Sequence, residues 1–559
     1  MFNSLNPEDM AFRAIMSLLK VFFITFYISS SIVCQNFSYD DNDWYFLTNP
    51  GLVNILMEDD FYIYFVAENG IFSYDKINQD FLYESKFNLE INSKNIRHMI
   101  YDEYRDLFWL LDANGLSYKT SVGTIWIEAN LDGFRTMDYY HIDDIGSSPN
   151  YIWLKSYDVL YPIEPFSLKV NNDKNANSEE AFISWGFSRY GNAGKFIDIS
   201  EYTTSEGWYI QNNKVKNNNG IVVIPTVTMF DSDRNYWLGT DKGFVLKSNL
   251  FLSKLDIMNI GLPFNDITIA YIDNEYNWWF ADSYFKRTGN LISPKKNYFN
   301  DIQPFVVNWN EIDNQWTYYS PNETNLIKHS DVNTILRIGN NVYFGTMYGL
   351  IYFDLYNRNW ELIDSKKGLN DDAVWDIEVN SFSIYVATAK GINEISIIDH
   401  SVIKDKENIY NSLIPFNIYD IEVDTNSIYF ATSDGLKKKD WLGGNIIDIS
   451  DKEFNKIKLY GNGVYGTDGS LWLINEENEE SFIETDIQDF DICNSFIWSI
   501  KDGKVGLLNY TSNERWEYDK ADGILGEILY GIDCDSEWVW FLTNKGLSFY
   551  NWDKFHNEE

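Results

Sequence analysis

The sequence predicts an all-β chain of tandem β-propellers built from four-stranded antiparallel blades. Two observations carry that expectation: one sentence of residues recurs along the chain, and its turn glycines recur at a fixed period. The clearest copy is NVYFGTMYGLIYFD, from Asn341 to Asp354. Val342, Tyr343 and Phe344 favour a strand, and so do Leu350, Ile351, Tyr352 and Phe353, while Gly349 sits where the chain must reverse. Copies follow in YIYFVAENGIFSYD, LFWLLDANGLSYK, YWLGTDKGFVLK, IYVATAKGI, IYFATSDGL and WVWFLTNKGLSFY. Gly349 to Gly391 is 42 residues, Gly391 to Gly435 is 44, and Gly503 to Gly546 is 43, with two shorter steps of 34 between Gly435 and Gly503. Gly70 to Gly115 is 45. YIWLKSYDVLYPI, GWYIQNNKV and WWFADSYFKR fill the stretch where the pattern degrades. About 12 units result, each near the ~40–50 residues of a propeller blade.

Within a unit, the strand after the glycine hairpin has its own signature: Trp, six or seven residues, then Gly and an apolar residue. WIEANLDGF at Trp126, WELIDSKKGL at Trp360 and WEYDKADGI at Trp516 show it, and QWTYYSPNE at Trp316 is a looser copy. This reads as the outermost strand of a blade. The inner strands, as in VWDIEVNS, IYDIEVDTNS and VTMFDSDRN, alternate apolar and polar residues as half-buried antiparallel strands do. The chain ends then explain each other. The last unit stops near Trp552 with no outer strand, and DWYFLTNPGL (Asp43 to Leu52) is a spare outer strand. Trp44 to Thr48 is therefore expected to pair beside Gly546 to Asn551, removing an exposed sheet edge.

These motifs, the strand–turn–GLxxYD sentence preceded by an acidic turn, resemble the two-component-regulator propeller repeats of secreted bacterial proteins. YWLGTDKG, YFGTMYGLIYFD and IYVATAKGI carry the resemblance best, and it covers most of residues 40 to 552. In that family such propellers often form the extracytoplasmic sensor of a hybrid histidine kinase. This sequence departs from the plan in having no membrane-crossing helix and no kinase or DNA-binding region after the propeller. It is also similar to propeller proteins of the type IX secretion apparatus, without the extra C-terminal domain some of them carry.

Rings normally close with about 4 to 8 blades, so about 12 imply two rings. The expected division is a signal peptide at 1–35, a closing strand at 36–52, a first propeller at 53–330 and a second at 331–559. The irregular region from Lys286 to Ser330 is the junction, and VNNDKNANSEEA is a surface loop. Lys20, the apolar run VFFITFYI and Ser29, Ser30 and Ser31 follow the order of an export signal, with Met16 a second candidate start. The run is too short to span a bilayer comfortably. Cys34 raises lipidation, although Val33 occupies the place where a lipobox wants a small residue. The protein is expected to be exported: periplasmic, at the cell surface or extracellular.

The chain has 559 residues and a formal charge of −39. Charge of that sign repels phosphate backbones and anionic headgroups, which excludes nucleic acid as a partner; its simplest use is to keep an aromatic-rich protein soluble. Cys493 and Cys534 stand at matching places in successive units, where a disulfide is not expected and two buried thiols are. His98, His141, His329, His400 and His556 share no zinc spacing and read as surface or turn residues. DSDRN at Asp231 and DNEYN at Asp273 look faintly like calcium loops; the first holds Tyr236 and Lys242 where such a loop needs glycine and glutamate, and both read as hairpin turns. No GxSxG, phosphate loop or dinucleotide fingerprint appears. Tryptophans and tyrosines that could stack on sugars sit at strand positions and read as core. No catalytic, cofactor or metal residue is therefore nominated, no cofactor is expected, and the binding residues stay unassigned. The first reading is a non-enzymatic sensor or scaffold module that binds a protein or an extracellular ligand, glycans among the candidates. The alternative is a glycoside hydrolase or polysaccharide lyase, which requires carboxylates converging in a propeller funnel.

Overall fold

A computed structural model describes residues 43–556 except 80, 84–92, 124, 132–138, 172–175, 192–196, 218–220, 250, 282–284, 289–290, 295–305, 313–314, 320–331, 405–408 and 444. The expected export signal, Cys34 and His329 lie outside the described residues.

The fold follows from the repeated sentence. Thr346 ends the second strand of its unit, and its hydroxyl donates to the carbonyl of Gly349 at 2.7 Å while accepting the N–H of Tyr348 at 3.1 Å. Thr388, Thr432 and Thr543 repeat the donation to Gly391, Gly435 and Gly546 at 2.7–2.9 Å. A buried hydroxyl thus ties these four tight turns, and Gly349, at φ 130°, reverses the chain in a conformation that L side chains avoid. This explains the G/A-T-x-x-G core of the repeat.

Eleven blade-like antiparallel sheets result among the described residues. They are blades 1 (residues 53–83), 2 (98–129), 3 (144–170), 4 (225–259), 5 (269–319), 6 (332–363), 7 (374–396), 8 (418–450), 9 (456–485), 10 (487–518) and 11 (529–551 with 44–47). Blade 7 has three strands, and the chain after it touches its edge through an Ile395–Val402 bridge. GWYIQNNKV, expected to be a blade unit, instead belongs to a separate three-stranded sheet over 208–223. In the WWFADSYFKR unit, strand Asn277–Ala281 pairs with Val306–Asn310, and a two-stranded hairpin (285–294) intervenes. The Trp signature marks fourth strands as expected: Asn359–Ile363, Arg515–Tyr518 and Gln315–Tyr319 are all outermost.

The expected closure is present. Trp44 pairs with Tyr550 and Leu47 with Leu547, antiparallel, as the outermost strand of blade 11. Trp44 is 8% exposed and stacks on Tyr550 with ring centroids 4.7 Å apart.

Apolar side chains fill the seams between blades. Phe65 and Trp237 belong to the cluster between blades 1 and 4, Trp498 and Phe541 to that between blades 10 and 11. Blade 5 packs on blade 6 through Trp279 and Phe344, and on blade 11 through Trp278 against Trp540, edge to face at 5.2 Å. Arg337 of blade 6 adds an ion pair to Asp273 of blade 5. Every seam in the circuit from blade 5 to blade 11 and back to blade 5 therefore carries an apolar cluster.

One expectation about the cysteines is corrected. Cys493 and Cys534 form a disulfide with Cα atoms 6.1 Å apart. Matching positions are far apart on outer strands, but these two end the innermost strands of blades 10 and 11, where neighbouring blades converge. The histidine expectation also changes. His98 and His556 are buried at 1% and 8% exposure, and His400 lies half-buried on Tyr352 with centroids 4.2 Å apart. Burial pushes the His98 imidazole down to about 3 and that of His556 to about 4, so both are neutral packing residues at physiological pH.

Candidate functional site

The innermost strands of blades 7 to 11 place charged residues in matching register. Asp376 and Glu378 stand on Val374–Val379, and Asp420 and Glu422 on Ile418–Val423. Lys456 and Lys458 follow on Lys456–Tyr460, Asp489 and Asp491 on Ile487–Cys493, and Asp533 on Leu529–Cys534. The strands alternate, so the apolar partners of these residues enter the seams while the charged ones face the axis of the circuit. Seven carboxyl groups and two ammonium groups meet there among the described residues.

Their geometry is that of a clasp. The Asp376 carboxylate accepts the backbone N–H of Ile421 in the next blade at 3.0 Å, and Asp420 accepts that of Ile457 at 2.6 Å. Asp489 and Asp491 accept the N–H groups of Ile532 and Cys534 at 3.0 and 2.9 Å. The lysines bridge further. Lys456 pairs with Asp489 at 2.9 Å and reaches Asp533 at 3.7 Å, and Lys458 pairs with Glu422 at 3.0 Å.

The electrostatics are those of partly enclosed groups. Lys456 and Lys458 keep 23% and 35% of their side-chain surface open, yet protein surrounds both. Burial alone disfavours charge on them; the surrounding carboxylates outweigh it, Asp489 and Asp533 for Lys456, Glu422 and Asp491 for Lys458, and hold both firmly protonated. The acids are pushed the other way. Burial, with repulsion from Asp376 and Glu422, lifts Glu378 to about 8. Burial lifts Asp533 to about 7 against the pull of Lys456. Asp420 and Glu422 are raised as well, chiefly by burial. No basic group lies within ion-pair distance of Glu378 among the described residues.

The acidic turns at Asp231 and Asp273 lie elsewhere. Asp231 accepts from the backbone N–H of Asn235 and the indole of Trp237, and Asp273 from the backbone of Glu275 and Asn277 and from Arg337. Their oxygens are occupied by the turns themselves. Asp491, Cys493 and Cys534 lie close enough to share an ion, but the two sulfurs are joined to each other and carry no thiolate.

Sequence reasoning nominated none of these axial residues. The available signal was register: D-x-E, D-x-E, K-x-K and D-x-D stand at the same place in four successive units, Asp376, Asp420, Lys456 and Asp489 being their first residues.

No family model matches the chain, and no curated protein matches it. Among solved structures, it is similar to PorZ, a surface component of the type IX secretion system of Porphyromonas gingivalis. That match has 10% identity and a TM-score of 0.43 and covers 91% of this chain and 87% of the other. It is similar to the extracellular domain of a B. thetaiotaomicron protein, BT3049, assigned to the hybrid two-component systems, at 14% identity and a TM-score of 0.40, covering 92% and 77%. It is also similar to BamB of Moraxella catarrhalis at 12% identity and a TM-score of 0.36, covering 61% and 98%. No helix among the described residues is long and apolar enough to cross a membrane.

Proposed function

We propose that this chain is an exported, non-enzymatic propeller module that binds a ligand or a protein in the cell envelope, as a sensor or scaffold component. The observation that carries the reading is the commitment of the axial carboxylates. Asp376, Asp420, Asp489 and Asp491 each hold a neighbouring blade's N–H, and Glu422 and Asp533 face Lys458 and Lys456. A clasp of this kind makes a rigid frame and leaves recognition to the loops. The Cys493–Cys534 disulfide supports export, since such bonds persist in oxidising compartments. The partition that fits the seams best puts blades 1–4 in one unit and blades 5–11, closed by residues 44–47, in a second.

The test is turnover. Purified protein incubated with polysaccharides and peptides should release no product. Release that disappears in Glu378→Gln or Asp533→Asn would overturn the reading. The glycosidase or lyase alternative keeps one specific support. The axis does gather carboxyls, and Glu378 and Asp533, at about 8 and 7, hold protons near neutrality as a general acid must.

A further inference from the structure

The axis of blades 1–4 is built differently from that of blades 5–11. After blade 3 the chain returns to the axis and lays residues 184–188 across it. Ser184–Trp185 pairs with the innermost strand of blade 3, Gly146 opposite Trp185, and Phe187–Ser188 pairs with that of blade 1, Phe187 opposite Leu56. Gly186 crosses between them and donates its N–H to Ile145 at 2.9 Å. Only glycine fits there: a β-carbon on Gly186 would lie 2.7 Å from Ile100 of blade 2, and one on Gly146 would meet Ile183 at 2.6 Å and Trp185 at 3.0 Å. Ser188 fixes the far end by donating its hydroxyl to the carbonyl of Arg97 at 2.8 Å.

This insertion floors a pocket of about 270 Å³ lined from all four blades. Trp185 is half-buried and Phe187 is 36% exposed, so both line the pocket with part of their rings open. Met57 and Met229 contribute apolar wall, and the rim carries Asp60 from blade 1 and Glu103 from blade 2, both exposed. Glu58 and Asp59 also line it, but Glu58 is taken by Lys76 and by the backbone and hydroxyl of Ser232, and Asp59 by its own turn and Tyr64. The lining thus has four acids and no lysine or arginine.

We propose that this axial pocket binds an organic cation, an alkylammonium or guanidinium group on a slim apolar stem. Resting on the reading of the chain as a binding module, the proposal names the ligand class. The ring faces of Trp185 and Phe187 attract a cation through their quadrupole, the methionines accept an apolar stem, and Asp60 and Glu103 supply the counter-charge at the mouth. An anionic ligand would meet four carboxylates and no base.

The experiment is calorimetric titration of the full chain with 1,5-diaminopentane and, separately, with cellotriose, at low and high salt. Diaminopentane should bind one site per chain. Trp185→Ala should weaken it by about tenfold. The double variant Asp60→Asn, Glu103→Gln should weaken it similarly, whereas Trp185→Phe should retain most affinity and Glu453→Gln, an exposed acid of the far unit, should change nothing. Unfolding midpoints equal to that of the parent show that the variants fold. Absence of binding overturns the proposal, as does binding that salt abolishes but Trp185→Ala leaves unchanged, the mark of diffuse attraction to a chain of charge −39. Binding of cellotriose in place of the diamine overturns the cation assignment and leaves the binding-module reading standing, while cleavage of cellotriose overturns that reading itself.

Discussion

The indole of Trp44 lies flat on the ring of Tyr550, 4.7 Å between centroids and 20° from parallel, so a residue at the start of the described chain completes the sheet at its end. Trp44 also belongs to the cluster between blades 10 and 11 that holds Trp498, Tyr518 and Phe541. Trp44→Ala should therefore cost about 3–5 kcal/mol, as large-to-small changes of buried aromatics do. Deleting residues 36–50 should lower hydrogen-exchange protection more in 529–551 than in blades 1–4. Loss confined to 53–130 would place the strand's contribution elsewhere.

The disulfide closes a loop of sequence separation 41 between the innermost strands of two blades. On the chain-entropy account, Cys493→Ser should cost about 3–4 kcal/mol. The protein in excess dithiothreitol should unfold at lower denaturant than the oxidised form. Equal midpoints, with both thiols alkylated in the reduced sample, would show that the seam is held by packing alone.

Much of this fold was legible because it repeats. The turn glycines and the Trp of the outer strand are demanded by local geometry, so residues such as Gly349 and Trp360 announce themselves one unit at a time. The closing strand was legible for the same reason, Trp44 being a fourth strand without its first three. The axis was not. Asp376 and Glu378 sit at the polar positions of an alternating strand, and a single strand cannot tell a solvent-facing side from one that faces six other strands. The cysteines were misread for a related reason, since convergence of inner strands is a property of the circuit and not of the repeat. The 184–188 insertion has no repeat to belong to, and Gly186, with Gly146 on the strand beside it, gained meaning only once the neighbouring strands were placed.

Lys458 lies among Glu422, Asp491, Asp420 and Asp533 and, with Lys456, is one of the two cations that offset carboxylate repulsion across these seams. Lys458→Met keeps much of the stem and removes the charge, leaving enclosed carboxylates without compensation. Its partial exposure moderates the loss, which should be on the order of 2 kcal/mol at neutral pH and smaller in acid, where the carboxyls take up protons. Denaturant midpoints of parent and variant at two pH values test this. A loss that does not shrink in acid would show that the stem's packing, and not the ammonium, was at stake.

Glu378 gives the sharpest pH signature. Its carboxyl is raised from 4.5 to about 8 by burial first and then by Asp376 and Glu422, with Lys458 pulling the other way. Because the folded value lies above the unfolded one, the folded state binds the proton more tightly. Its ionisation therefore begins to cost stability as pH rises above 4.5, and the cost is complete above about 8. Asp533, raised to about 7, acts in the same direction. The lysines oppose neither trend, since both stay charged throughout this window. Glu378→Gln removes the proton exchange while retaining the side chain's shape. The parent should thus lose stability between about pH 5 and pH 8 by on the order of 2 kcal/mol more than the variant, after allowance for the group's partial access to solvent. Chemical denaturation of both proteins across that range measures the difference. Parallel curves would mean that Glu378 ionises at its ordinary value, open enough to water to be hydrated.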